Sequence, residues 1–221
     1  MNFIQLKRLP SLLITPDFVA TSQVKTVLVD PFPEALMRNC THNVKRFIEE
    51  NGGSAEYGWA VSALGNVLIR FVGHCVVRRD SGELVCVTPP ECTYIDEMAF
   101  IPDPSIAVTD QNRERLPTIT FPLINNSVAI QYADLENVSS TLRSKYPSKS
   151  SLDDNRSSTT LTEKDSKVMT DVTIRIRRLM PDLQALVVRT YGSNQYCLCN
   201  SGKKYKKCCQ DKMKARLRKR A

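Results

Sequence analysis

Apolar positions change period several times along the chain, and each change marks an element. VKTVLV, residues 24–29, reads as a β-strand ending at Asp30-Pro31. Beyond it the spacing turns helical. Val44, Phe47 and Ile48 form one stripe, predicting a helix from about Asn39 to Asn51 that Gly52-Gly53 stops. Cys40 falls on that stripe, four residues before Val44, in the first turn. A Gly-rich join containing Tyr57-Gly58-Trp59 follows. Then Asn66 to Arg78, dense in Val, Ile and Phe, and Leu84 to Thr88, with Asp80-Ser81-Gly82 between them, predict a β-hairpin. With Arg79 opposite Glu83, the register sets His74 opposite Thr88 and diagonal to Cys86 on the same face.

A second hairpin is expected at 118–132, with Asn125-Asn126 turning the chain and Pro122 confining its strand to an edge or bulge. The body, residues 1–146, is therefore α+β, built on a small antiparallel sheet and the helix that carries Cys40. From 147 to 167 the chain is rich in Ser, Thr, Asp and Lys and reads as a flexible linker. Helical periodicity returns over 168–192, where Pro181-Asp182 predicts two short helices or one kinked helix before Gly192. Residues 193–221 form a separate C-terminal module.

Charge sharpens this division. The chain has 221 residues and a formal net charge of +8. Residues 197–221 hold ten Lys or Arg and one Asp, so a tail of +9 is attached to a body of 21 basic and 22 acidic residues. Such a basic run favours anionic surfaces through counterion release; RNA, the ribosome, DNA and acidic proteins are all admissible, and a merely solubilising tail accounts for it equally well. No transmembrane segment is visible, and the N-terminal apolar stretch is too short and proline-broken for a signal peptide. Cys40, Cys75, Cys86 and Cys92 lie in strand-like or helix-like surroundings, which suits a reducing, cytoplasmic setting better than a disulfide scaffold.

The other four of the eight cysteines stand together in CLCNSGKKYKKCC: Cys197, Cys199, Cys208 and Cys209. A turn at Ser201-Gly202 brings the leading Cys-x-Cys and the trailing Cys-Cys onto one point, the donor set of a tetrahedral zinc site. Four thiolates leave about two excess negative charges around a divalent cation, which Lys203, Lys204, Lys206 and Lys207 offset. A plain cluster of reduced or disulfide-bonded cysteines is the competing reading. The segment resembles the SEC-C motif, a small zinc-binding module best known from the C-terminal tail of the bacterial preprotein translocase motor ATPase. The resemblance implies zinc held by four sulfurs, and often docking onto another protein or onto the translation and secretion machinery.

Only two histidines occur, His42 and His74, and His74 interrupts the apolar run FVGHCVV. A cysteine at a helix start followed by a histidine on a strand resembles the papain-like and transglutaminase-like Cys-His domains. That resemblance implies Cys40 as nucleophile and His74 as base; Asn39 or first-turn backbone N–H groups could bind an oxyanion, and Thr88 could accept the imidazole N–H, as a poorer orienter than a carboxylate. Where those enzymes use Asp or Asn as the third member, this chain has Cys86; Asp96 and Asp103 follow downstream. His42, two residues past Cys40 on the same helix, points elsewhere. Cys75 and Cys92 read as structural, and Trp59 as a core anchor beneath the helix. Two functions are expected from these residues: a zinc-binding adaptor that docks on a protein or ribonucleoprotein, or a cysteine hydrolase or acyltransferase.

Overall fold

The computed structural model describes residues 3–9, 24–90, 95–107, 115–146, 149–150, 157–158, 161–198 and 201–218. In chain order the elements are β1 (Ile4–Gln5), β2 (Lys25–Val29), α1 (Cys40–Asn51), β3 (Ser54–Leu64), β4 (Leu68–Arg78), β5 (Leu84–Cys86), β6 (Glu97–Pro102) and β7 (Thr118–Pro122). They continue with α2 (Ser127–Ser144), the short pair β8 (Lys149–Ser150) and β9 (Ser157–Ser158), α3 (Glu163–Thr190) and α4 (Gln210–Arg218). Turns of 3₁₀ helix lie at Pro104–Ile106 and Tyr205–Lys207.

The molecule is α+β as expected, but its sheet is larger than the small antiparallel one predicted, and it closes. The order β1-β3-β6-β2-β5-β4-β7, with β3 also paired to β4, makes a five-stranded barrel of β3, β6, β2, β5 and β4. One pairing is parallel, β2 with β5, at Leu28 opposite Val85. The long β3–β4 hairpin belongs to two structures at once. Its Ser54–Ala60 and Val77–Arg78 portion enters the barrel through β6 and β5, while its other half carries β1 on β3 and β7 on β4. Closure pairs each barrel strand on both sides and leaves β1 and β7 at the edges of the sheet.

Strand β3 runs straight through the expected Gly-rich join. Gly58 does not break it; the glycine makes its packing feasible, because a Cβ there would lie 2.2 Å from the Ile101 carbonyl oxygen and 2.6 Å from Phe100 Cζ. Val27, Ala60, Val76, Leu84, Cys86, Met98 and Phe100 fill the barrel from all five strands. Trp59 packs with Val61, Ile69, Phe71, Ala99 and Ile101, not under α1 as expected, and donates from Nε1 to Asp103 Oδ2 at 2.9 Å. Helix α1 lies outside the barrel, its Val44, Phe47 and Ile48 against Cys75, Val77, Val85 and Val87.

The expected hairpin at 118–132 is replaced by strand β7 and helix α2. Asn126 is extended (φ −139°, ψ 131°), and its Oδ1 accepts from Val128 N (3.0 Å) and Ala129 N (3.4 Å), so it caps a helix. Helix α2 then covers the outer edge of β7 as a neighbouring strand would. Asn137 Oδ1 accepts from Thr120 N at 2.7 Å, Asn137 Nδ2 donates to Thr120 O at 2.9 Å, and Thr118 N donates to Ser140 Oγ at 3.1 Å. Pro122 does sit on this edge strand, as its missing N–H requires.

Helix α3 is one continuous element with Pro181 inside it, and it begins at Glu163, within the segment read as linker. Thr162 Oγ1 accepts from Asp165 N at 3.2 Å, and Lys167 pairs with Glu163 one turn away at 2.7 Å. Most of the rest of 147–162 lies outside the described residues. Leu183 and Val187 of α3 share a core with Leu64, Leu68, Ala129, Tyr132 and Leu198, which ties α2, α3 and the C-terminal module to the closed end of the β3–β4 hairpin.

Candidate metal centre

The C-terminal module is held together mostly by backbone. After α3 ends, Tyr196 and Lys204 form an antiparallel bridge, and Cys197 N donates to Lys203 O at 2.7 Å. Gly202 takes the left-handed conformation (φ 70°) that the reversal needs. Tyr205 N donates to Gln195 O at 2.8 Å and Lys206 N to Ser193 O at 2.9 Å, folding the second half of the motif back on the first. Cys208 follows the Tyr205–Lys207 turn, and Met213 N donates to Cys209 O at 2.9 Å as α4 starts.

This path brings three thiols together. The sulfurs of Cys197, Cys208 and Cys209 lie within 4.8 Å of one another, the only such group of three or more metal-ligating side chains among the described residues. Cys208 and Cys209 Sγ are 3.7 Å apart. A tetrahedron of thiolates with metal–sulfur bonds of about 2.3 Å has edges of about 3.8 Å, whereas a disulfide needs about 2.05 Å. The donor set and its spacing therefore fit a thiolate-bound metal. Cys199, the fourth expected ligand, lies outside the described residues. Cys197 is fully buried, Cys208 and Cys209 are half-buried, and Lys203, Lys204, Lys206 and Lys207 are all exposed around them. Ser201 Oγ, in the turn, lies 3.3 Å from Cys208 Sγ, an outer contact that cysteine spacing alone does not reveal.

Two aromatic residues attach the module to the body. Tyr205 is 2% exposed and meets Tyr191 edge-on at 5.3 Å between centroids. Tyr191 donates from its hydroxyl to Tyr196 O at 2.5 Å, and burial, with Cys197 and Tyr205 nearby, pushes its pKa up to about 12. Asn66, at the β3–β4 turn, donates from Nδ2 to Thr190 O at 3.1 Å, and Leu198 enters the core shared by α2 and α3. The module is thus seated on the closed end of the β3–β4 hairpin.

Of the residues expected to form a Cys-His site, Cys40, His74 and Thr88 line one cleft. Cys40 opens α1, half-buried among Cys75, Val77 and Val87; burial raises its thiol pKa against weaker opposing backbone hydrogen bonds. His74 Nε2 contacts Cys86 Sγ at 3.2 Å, and burial lowers its pKa to about 4. Both groups are therefore held neutral, the reverse of a thiolate-imidazolium pair. The hairpin register is the expected one, with Val77 opposite Val85, so His74 and Cys86 meet on one face. Thr88 Oγ1 accepts from Asn43 Nδ2 at 3.1 Å, and Asn39 makes no side-chain cap hydrogen bond. Asp96 pairs with Lys7, and Asp103 is bonded to Trp59 and Ser105. His42 is half-buried on α1, Cys75 is fully buried, and Cys92 lies outside the described residues.

Among the described residues no helix is long and apolar enough to cross a membrane. Comparison of the chain with curated proteins and with solved structures finds no match in either. Comparison with family models does find one, and it coincides with the thiol cluster: residues 194–211 carry the SEC-C motif.

Proposed function

We propose that the C-terminal module binds zinc through Cys197, Cys199, Cys208 and Cys209, and that it docks this cytoplasmic protein onto a protein or ribonucleoprotein partner. One observation carries the reading: three converging thiols at the spacing of a thiolate tetrahedron, on a motif matched to SEC-C over residues 194–211. Thiolate donors favour zinc over hard cations such as magnesium or calcium. When bound, the ion would lock the reversal at Ser201-Gly202 and so fix the outward direction of Lys203, Lys204, Lys206 and Lys207.

Elemental analysis of freshly purified protein tests the metal: about one zinc per chain is expected, falling to background in the Cys208→Ser, Cys209→Ser double variant. A full zinc complement in that variant would overturn the assignment. Docking through charge is tested by binding to single-stranded RNA at rising salt. A steep loss with salt that vanishes on deleting residues 212–220 supports an electrostatic dock, and salt-insensitive binding counts against it.

The alternative, a cysteine hydrolase or acyltransferase with Cys40 as nucleophile, His74 as base, and Thr88 and Asn39 assisting, draws support from Cys40 and His74 lining a common cleft. Its test is mild iodoacetamide labelling at neutral pH. Rapid capture at Cys40 that His74→Ala suppresses would favour it, while slow capture is expected of a half-buried thiol with a raised pKa.

A further inference from the structure

The cleft shared by Cys40 and His74 also carries charged side chains that neither function above uses. It encloses about 420 Å³, within the range of small-molecule sites, and it opens on the face of β4 that carries Arg70, Val72 and His74. Its α1 end is formed by Met37, Arg38, Cys40 and Cys86, and its α2 end by Arg70, Glu136 and Arg143. Among the described residues, three guanidinium groups and one carboxylate line it.

That carboxylate is already engaged. Glu136 pairs with Arg70 at 3.2 Å, both side chains about one-fifth exposed, and Phe3 lies against the other side of the guanidinium, 3.6 Å from ring centroid to Cζ. Even so, the buried Nε of Arg70 has no hydrogen-bond partner. Arg143 meets no carboxylate among the described residues, and it lies close enough to Arg115 to add to burial in lowering that group's pKa. At the opposite end Arg38 holds a left-handed backbone (φ 64°), a conformation uncommon for a residue with a side chain. At the α2 end, two guanidinium groups and one carboxylate leave a local excess of positive charge in a concave, partly apolar site, which focuses its potential.

The distances set the shape of what would neutralise it. Arg70 and His74 are four residues apart on an extended strand, about 13 Å, with Val72 between them on the same face. We propose that the cleft binds an elongated organic oxyanion of metabolite size. Its carboxylate or phosphate sits at Arg143 beside the Arg70–Glu136 pair, and its apolar body lies over Val72 toward His74 and Cys86. The proposal rests on the cleft alone and is independent of the metal centre.

Calorimetric titration of the full chain tests it, with octanoate and octyl phosphate as probes and octanol and octylammonium as controls. One or both oxyanions are expected to bind one to one, with the controls at least tenfold weaker; the stronger of the two identifies the anion as carboxylate or phosphate. Arg143 is exposed, so Arg143→Gln should fold as the parent does while weakening the oxyanion by about tenfold, and Arg143→Lys should restore part of the loss. Octylammonium binding as tightly as octanoate, no binding of either oxyanion, or an Arg143→Gln variant with unchanged affinity would each overturn the proposal.

Discussion

Half-buried beside Cys86, the His74 imidazole is held toward its neutral form, and that has a consequence for stability. Its pKa in the folded protein is about 4, against about 6.5 for an exposed imidazole. As pH falls, the unfolded chain takes up this proton before the native state does. The contribution is thus complete above pH 6.5 and is lost progressively between 6.5 and 4, with an upper limit of about 3 kcal/mol. Chemical denaturation at a series of pH values is expected to show this slope, and His74→Gln should flatten it. An unchanged slope in the variant would mean that other groups control acid sensitivity. Asn43, by contrast, is a neutral residue doing a structural job. It is 1% exposed, exchanges two hydrogen bonds with the Leu36 backbone and donates a third to Thr88. Asn43→Ala leaves those buried partners unpaired and should cost about 3 kcal/mol, read as a lower denaturation midpoint with an unchanged slope.

Elements whose cues are local were legible in the sequence, and those set by distant pairing were not. The β4–β5 hairpin could be read, register included, because Asp80-Ser81-Gly82 closes it within a few residues. Helix α1 could be read from its stripe. Strand β3 could not, since Gly58 looks like a break until β6, more than forty residues on, is laid against it. Closure of the sheet depends on the same long-range pairing. Asn125-Asn126 misled for a different reason: asparagine serves both turns and helix caps, and only the extended backbone at Asn126 identifies the cap. Asn126→Ala is accordingly expected to destabilise the protein by about 1 kcal/mol, whereas Asn126→Gly, the better residue for a turn, should cost only a few tenths. Comparing the two by thermal melting checks the assignment; an equal loss in both would argue against capping. The candidate site divides along the same line. The thiol cluster was legible because its ligands lie within thirteen residues, while the arginine cleft joins residues from β4, α2 and the loop before α1 and has no local signature.

At the scale of the whole molecule, the barrel and the C-terminal module are stabilised by different means. The barrel and helices bury four clusters of apolar side chains. The module from Ser193 onward buries chiefly Cys197, Leu198 and Tyr205, far too few to order it by the hydrophobic effect alone. A thiolate-bound structural metal supplies on the order of 10 kcal/mol in peptides of this size, enough to replace the missing core. If the proposed metal supplies that stability, removing it should unfold one part and spare the other. With a strong chelator, amide exchange at Cys197, Tyr205 and Lys206, whose N–H groups bond across the motif, is expected to accelerate sharply. The β3–β4 amides should stay protected, because the barrel closes without the module. The melting temperature of the body should fall by only a few degrees, reflecting loss of Leu198 from the α2–α3 core and of the Asn66–Thr190 bond. If chelation instead unfolded the barrel at the same step, the metal would be holding the whole chain, and the module could not act as an appendage that docks while the body works independently.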